Sequence, residues 1–117
     1  MRLPTAKQRV GQQGEDDALI YLQQRGLQLI ERNFRCKGGE IDLLMQDKKT
    51  LVFVEVRKRG RSQYGGAAAS VTTAKQQRLI IAAQYYLQRY TMPPPCRFDV
   101  IAIDDGAISW LKNAIDS

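Results

Sequence analysis

Two stretches of alternating residues, Gly39-Glu40-Ile41-Asp42-Leu43-Leu44-Met45 and Leu51-Val52-Phe53-Val54-Glu55-Val56-Arg57, are separated only by Gln46 to Thr50. A period of two over such lengths predicts two strands, and so short a gap predicts a tight hairpin. With Lys48 and Lys49 as the turn, Ile41 faces Val56, Leu43 faces Val54 and Met45 faces Val52, which makes one face apolar. The other face then pairs Leu44 with Phe53, Asp42 with Glu55 and Glu40 with Arg57. Opposed Cβ atoms in such a ladder lie about 5 Å apart. Lys-Lys lacks the Gly or Asn that favours a primed turn. The register therefore rests on the alternation: a slip of one would bring Val54 and Val56 onto the polar face.

The remaining pattern is helix, strand, hairpin, helix, strand. Ala18, Leu19 and Leu22, with Ile20 and Tyr21, predict an amphipathic helix from Glu15 to about Arg25, stopped by Gly26. Glu15 shares the core-facing stripe of that helix, where a carboxylate is unusual. The plain alternative is a first-turn acid favoured by the helix dipole. Leu27 to Phe34 reads as the first strand, and the hairpin supplies the second and third. Thr73-x-x-Gln76 resembles a capping box that opens a helix from Ala74 to about Arg89, with Leu79, Ile80, Ala83, Tyr86 and Leu87 inward. Met92-Pro93-Pro94-Pro95 ends it. Cys96 to Ile103 is a further strand, and Ala107 to Trp110 reads as an edge strand after the turn Asp104-Asp105-Gly106. Residues 1–11 read as a flexible basic arm, and 12–117 as one domain.

Charge sharpens this picture. Eighteen Lys and Arg against twelve acids give +6, and a pI near 9.6 is the balance expected of a nucleic-acid partner. Cys36 and Cys96 are far apart and there is no histidine, so zinc spacing, imidazole triads and HExxH sites are excluded. A hydrolase built from this chain must work with carboxylates and a metal. No apolar run of membrane-spanning length and no signal-like stretch occurs. The expected setting is cytoplasmic, with reduced thiols and no membrane contact.

Opposed like charges destabilise a ladder, so Asp42 and Glu55 call for compensation, and a divalent cation supplies it best. Beside them runs a basic, Gly-rich segment from Lys58 to Ser70. Arg57, Lys58, Arg59 and Arg61 could neutralise phosphates there, and Gly65 and Gly66 would permit close backbone approach. Asp99, on an alternating strand, reads as a buttress to Arg97 or another base. Tyr64, Tyr85, Tyr86 and Trp110 could stack on unpaired bases, although core aromatics are commoner. Gln76 and Gln77 could touch phosphate.

Glu15 on a helix, Asp42 within GEID and Glu55-Val56-Arg57 beyond it resemble the core of the PD-(D/E)xK nuclease superfamily. More closely, Gly14-Glu15, Arg32-Asn33, Gly39 to Leu43, Val52 to Arg57, Gly65 to Val71 and Arg97 to Val100 resemble the YraN family of small bacterial proteins, described as similar to archaeal Holliday-junction resolvases. The resemblance covers about residues 12–112. It implies an α/β, restriction-endonuclease-like core of order αβββαβ and cleavage of phosphodiester bonds in DNA, branched or structured DNA above all. RNA and a homodimer remain open. Carried over, Asp42, Glu55 and the Val56 carbonyl would hold Mg²⁺ or Mn²⁺, and Glu15 would act through the metal or its water. The superfamily has lysine where this chain has Arg57. Arginine clamps phosphate but does not readily lose a proton, and Lys75, otherwise a solvated helix lysine, could supply the amine. The alternative function is a nuclease-fold nucleic-acid-binding protein without turnover.

Overall fold

The computed structural model describes residues 6–59 and 71–115, with 6–11 and Arg59 described by their backbone alone. Helix α1 spans Ala6–Gln24, followed by strands β1 (Gln28–Cys36), β2 (Gly39–Asp47) and β3 (Thr50–Arg59), helix α2 (Thr73–Leu87), and strands β4 (Cys96–Asp104) and β5 (Ala107–Leu111). The five strands form one sheet in sequence order. Neighbours are antiparallel except β3 and β4, which run parallel because α2 carries the chain back. This is the mixed α/β order expected, with β5 as the added edge strand.

Each sheet face is covered by one helix. Leu43, Met45, Val52, Val54, Val56, Ile101 and Ile103 pack with Ala18, Leu22 and Leu27 under α1. Ile41, Leu44, Leu51, Phe53, Phe98 and Val100 pack with Leu79, Ala82, Ala83 and Tyr86 of α2. Helix α1 starts at Ala6, nine residues before Glu15 and inside the segment read as an arm; residues 1–5 of that arm lie outside the described residues. It ends in a Schellman motif, with Gly26 at φ 93°. There Gly26 N donates to the Gln23 carbonyl and Leu27 N to the Leu22 carbonyl, both at 3.1 Å. The cap of α2 is Thr72, not Thr73: its hydroxyl accepts from Lys75 N at 3.3 Å. Gln76 reaches back, but donates to the Val71 carbonyl at 3.2 Å instead of closing a capping box.

The β2–β3 register is as expected from Leu43↔Val54 to Asp47↔Thr50, with Lys48 at φ 57° in the turn. The expected rungs beyond it are not among the paired residues. Ile41 belongs to the α2 face with Phe34, whereas Leu43 lies on the α1 face. The cause is local. Between Arg32↔Leu43 and Phe34↔Ile41 the Asn33/Asp42 rung is missing, and Asn33 adopts φ 54°. A left-handed residue turns the side chain after it to the other face, so both strands change sides there. Asp42 leaves the ladder, and its Oδ2 accepts the Val56 N–H at 2.9 Å.

Gly39 sets the seat of α2. A Cβ there would collide with the Arg78 carbonyl and lie 2.7 Å from the Ala82 nitrogen. At the far side of the sheet Asp99 is fully buried. It accepts from Arg97 Nε at 3.1 Å, Trp110 Nε1 at 2.9 Å and Asn113 N at 2.8 Å. Arg97 also reaches Asp47 at 3.0 Å. Asp99 is thus the buttress to Arg97 that the sequence suggested.

Candidate functional site

Asp42 and Glu55 meet where β2 parts from β3. Each carboxyl is felt by the other: the contact with Asp42 favours the protonated form of Glu55 and the contact with Glu55 favours the ionised form of Asp42. Burial, and next the Asp42 charge, push Glu55 up to about 8, against the pull of Arg57. Asp42 is also raised by burial, which outweighs the Val56 N–H that favours its ionised form. Arg57 Nη1 stands 3.9 Å from Glu55 Oε1. The acids therefore come together as the alternation suggested, through a break in the ladder rather than a regular rung.

Glu15 approaches from α1. Standing nine residues past Ala6, it is in the third turn, which removes the first-turn dipole account. Its pKa is raised first by burial and then by the Asp42 charge, which places the two acids in electrostatic reach. Arg32 and the Asn33 side chain counter this. Arg32 lies 3.8 Å from Glu15 and donates to Asp16 at 2.6 Å. The reversal at Asn33 thus serves two acids at once: it frees Asp42 and sets a partner for Glu15.

On the α2 side a cavity of about 120 Å³ is lined by Glu40, Glu55, Arg57, Lys75 and Arg78. Lys75 is therefore brought to Glu55, as the sequence allowed. Lys58 is not brought there: its stem packs against Gly14 of α1, where an added Cβ would lie 3.3 Å from it. Arg61, Gly65, Gly66 and Tyr64 lie outside the described residues, as does the Arg59 side chain. Tyr86 belongs to the core and Trp110 is tied to Asp99, while Tyr85 stays 56% exposed. Gln76 is occupied with Val71. Sequence reasoning missed Arg78 and the part Glu40 plays beside it. The signal was the helical spacing of Lys75 and Arg78, which puts both on one side of α2.

Among the described residues no three His, Cys, Asp or Glu stand together as a ready metal cage. The site offers two desolvated carboxyl groups, both raised by burial. Such a donor set fits a hard divalent cation of the Mg²⁺ type, which takes one or two carboxylates and keeps several waters.

The fold and site define a mixed-sheet α/β protein with a buried carboxyl pair on a central hairpin, open toward cations of the following helix. The chain belongs to the uncharacterised protein family UPF0102, whose model matches residues 14–103. It is 74% identical to a UPF0102 protein of Janthinobacterium sp. (strain Marseille) and 69% identical to one of Herminiimonas arsenicoxydans, each over the whole of both chains. It is 55% identical to a UPF0102 protein of Cupriavidus metallidurans, over 92% of this chain and 81% of that one. The resemblance to the YraN family is thereby borne out at the level of the family. Among the described residues no helix is long and apolar enough to cross a membrane.

Proposed function

We propose that this protein is a metal-dependent endonuclease of the PD-(D/E)xK type that hydrolyses phosphodiester bonds in DNA, with branched or structured DNA as its preferred form. The observation that carries the reading is the desolvated Asp42–Glu55 pair, of which Glu55 lines a cavity shared with Glu40, Arg57, Lys75 and Arg78. Asp42 and Glu55 would hold Mg²⁺ or Mn²⁺, and Glu15 is the third acid in reach. The bound ion would supply an activated water at neutral pH and offset charge on the scissile phosphate. Arg57 and Lys75 present positive charge to that phosphate. Two carboxylates in so dry a place repel each other unless a proton or a cation lies between them, and a divalent cation that enters would take the proton's place.

The second reading, a nucleic-acid-binding protein without turnover, is favoured by arginine at position 57, where the superfamily has lysine. One experiment separates them. Pure protein with Mg²⁺ or Mn²⁺ is incubated with linear, nicked, flapped and four-way DNA and with single-stranded RNA. Metal-dependent cuts by the wild type that vanish in Asp42→Asn support the nuclease. Full cleavage by Asp42→Asn would sink the site assignment. A wild type that binds DNA but cuts nothing selects the second reading.

A further inference from the structure

Glu40 lines the cavity and stands between two guanidinium groups, those of Arg35 and Arg78, to which no part in the cleavage step has been given. Its Oε2 is 3.8 Å from Arg35 Nε and its Oε1 is 3.8 Å from Arg78 Nη2. Arg35 is its cross-strand partner on β1, and Arg78 comes from α2. The contact with α2 is fixed by the backbone, because Gly39 abuts the Arg78 carbonyl. Both ion pairs are long and exposed, with side-chain exposures of 73%, 56% and 44% for Arg35, Arg78 and Glu40. Pairs of that kind are weak and readily exchanged.

Glu40 is also badly placed for an ordinary surface acid. Its charge adds to the repulsion felt by Asp42 and by Glu55. An anion is thus held against two other acids by two arginines, which is the arrangement expected where a different anion binds. Phosphate suits those arginines better, since it offers more acceptor oxygens to a planar fork. Arg78 and Glu40 line the cavity beside Glu55, and Arg35 meets Glu40 from β1.

We infer that Arg35 and Arg78 form a subsite for a backbone phosphate next to the scissile one, and that Glu40 is an internal stand-in that a nucleic-acid phosphate displaces. The inference rests on the proposed function for the identity of the ligand. Its test does not need turnover. A fluorescein-labelled DNA duplex is titrated in EDTA, by anisotropy at several salt concentrations, with wild type, Glu40→Gln, Arg78→Ala, the double variant and Glu31→Gln. Glu31 is an exposed acid of β1 within electrostatic reach of Tyr86, and Tyr86 lies eight residues past Arg78, about 12 Å further along α2. It controls for net charge alone.

Glu40→Gln is expected to tighten binding about threefold to tenfold at low salt, the scale of one or two exposed ion pairs released. Glu31→Gln is expected to change it less than twofold. Arg78→Ala should lower the log-log salt slope by about 0.9, one phosphate contact, and should cancel the gain in the double variant. Unchanged or weaker binding by Glu40→Gln overturns the inference, as does equal tightening by Glu31→Gln or a gain that survives Arg78→Ala. The two proposals fail separately. Tightening that depends on Arg78, in a protein that never cuts, leaves the subsite standing and removes the nuclease. Cleavage without tightening does the reverse.

Discussion

A carboxyl group that keeps its proton to about pH 8 makes the free protein sensitive to alkali. Glu55 is raised from 4.5 to about 8 in the folded chain, so its contribution to stability is complete below pH 4.5 and is lost as pH rises through 8. In chelator, the urea midpoint should fall across that window, by a few kcal/mol in stability at most. Glu55→Gln should flatten the profile, and Mn²⁺ should restore stability at the alkaline end. A flat wild-type profile would mean that Glu55 is ionised throughout. Arg57 separates the two functional readings by kinetics. If it offsets charge on the reacting phosphate, Arg57→Ala should cost about 100-fold in kcat, the scale of one electrostatic donor, while Arg57→Lys keeps much of the rate. Equal rates for wild type and Arg57→Ala would hand that role to Lys75. At this scale the alternation along β2 and β3 was enough to bring Asp42 to Glu55 on paper. It could not show that Asp42 accepts from Val56 N–H, because that depends on a left-handed Asn33 in a strand, where the usual expectation for Asn is a turn.

The helices owe their seats to single residues. Thr72→Ala removes the acceptor for Lys75 N and should cost about 1 kcal/mol. Gly39→Ala should cost about 2 kcal/mol or more, because the added methyl meets α2 backbone that no rotamer change can move. Urea denaturation reads both, and a Gly39→Ala protein as stable as the wild type would show that α2 can lift away freely. Helix and strand order was legible because periods of two and 3.6 persist along each element, and Gly26 marked a true helix end. The start of α1 was not. The segment from Ala6 to Gly14 has little apolar periodicity, and its helix instead continues the turns that Ala18 and Leu22 anchor. The cap of α2 was misread by one residue because Thr72 and Thr73 are adjacent and both can cap. The side of the sheet on which Lys58 stands follows from the strand. Strand alternation puts it on the α1 side with Val56, whatever its neighbours in sequence carry.

Over the whole molecule, the cationic wall and the acid pair come from parts of the chain that meet on different terms. The turn between β2 and β3 needs only Lys48 and Lys49, with Asp47 already paired to Thr50. The parallel pairing of β3 with β4 joins residues such as Leu51 and Cys96, across a crossover that contains α2. Closing a hairpin takes about 1–10 μs, whereas long-range parallel pairing is slow because the loop entropy is lost before the contacts form. On that basis Asp42 and Glu55 are expected to become neighbours before Lys75 and Arg78 attach. A like-charged pair in the nucleus acts as a brake on folding, and a divalent cation bound there would release it. Stopped-flow refolding should be faster in Mn²⁺ than in EDTA, and Asp42→Asn should refold at the faster rate with or without the ion. If the ion slows unfolding and leaves refolding unchanged, the acids meet only after the transition state. Faster refolding in Mn²⁺ would mean that the break in the β2–β3 ladder makes the order of assembly, as well as the finished site, depend on charge.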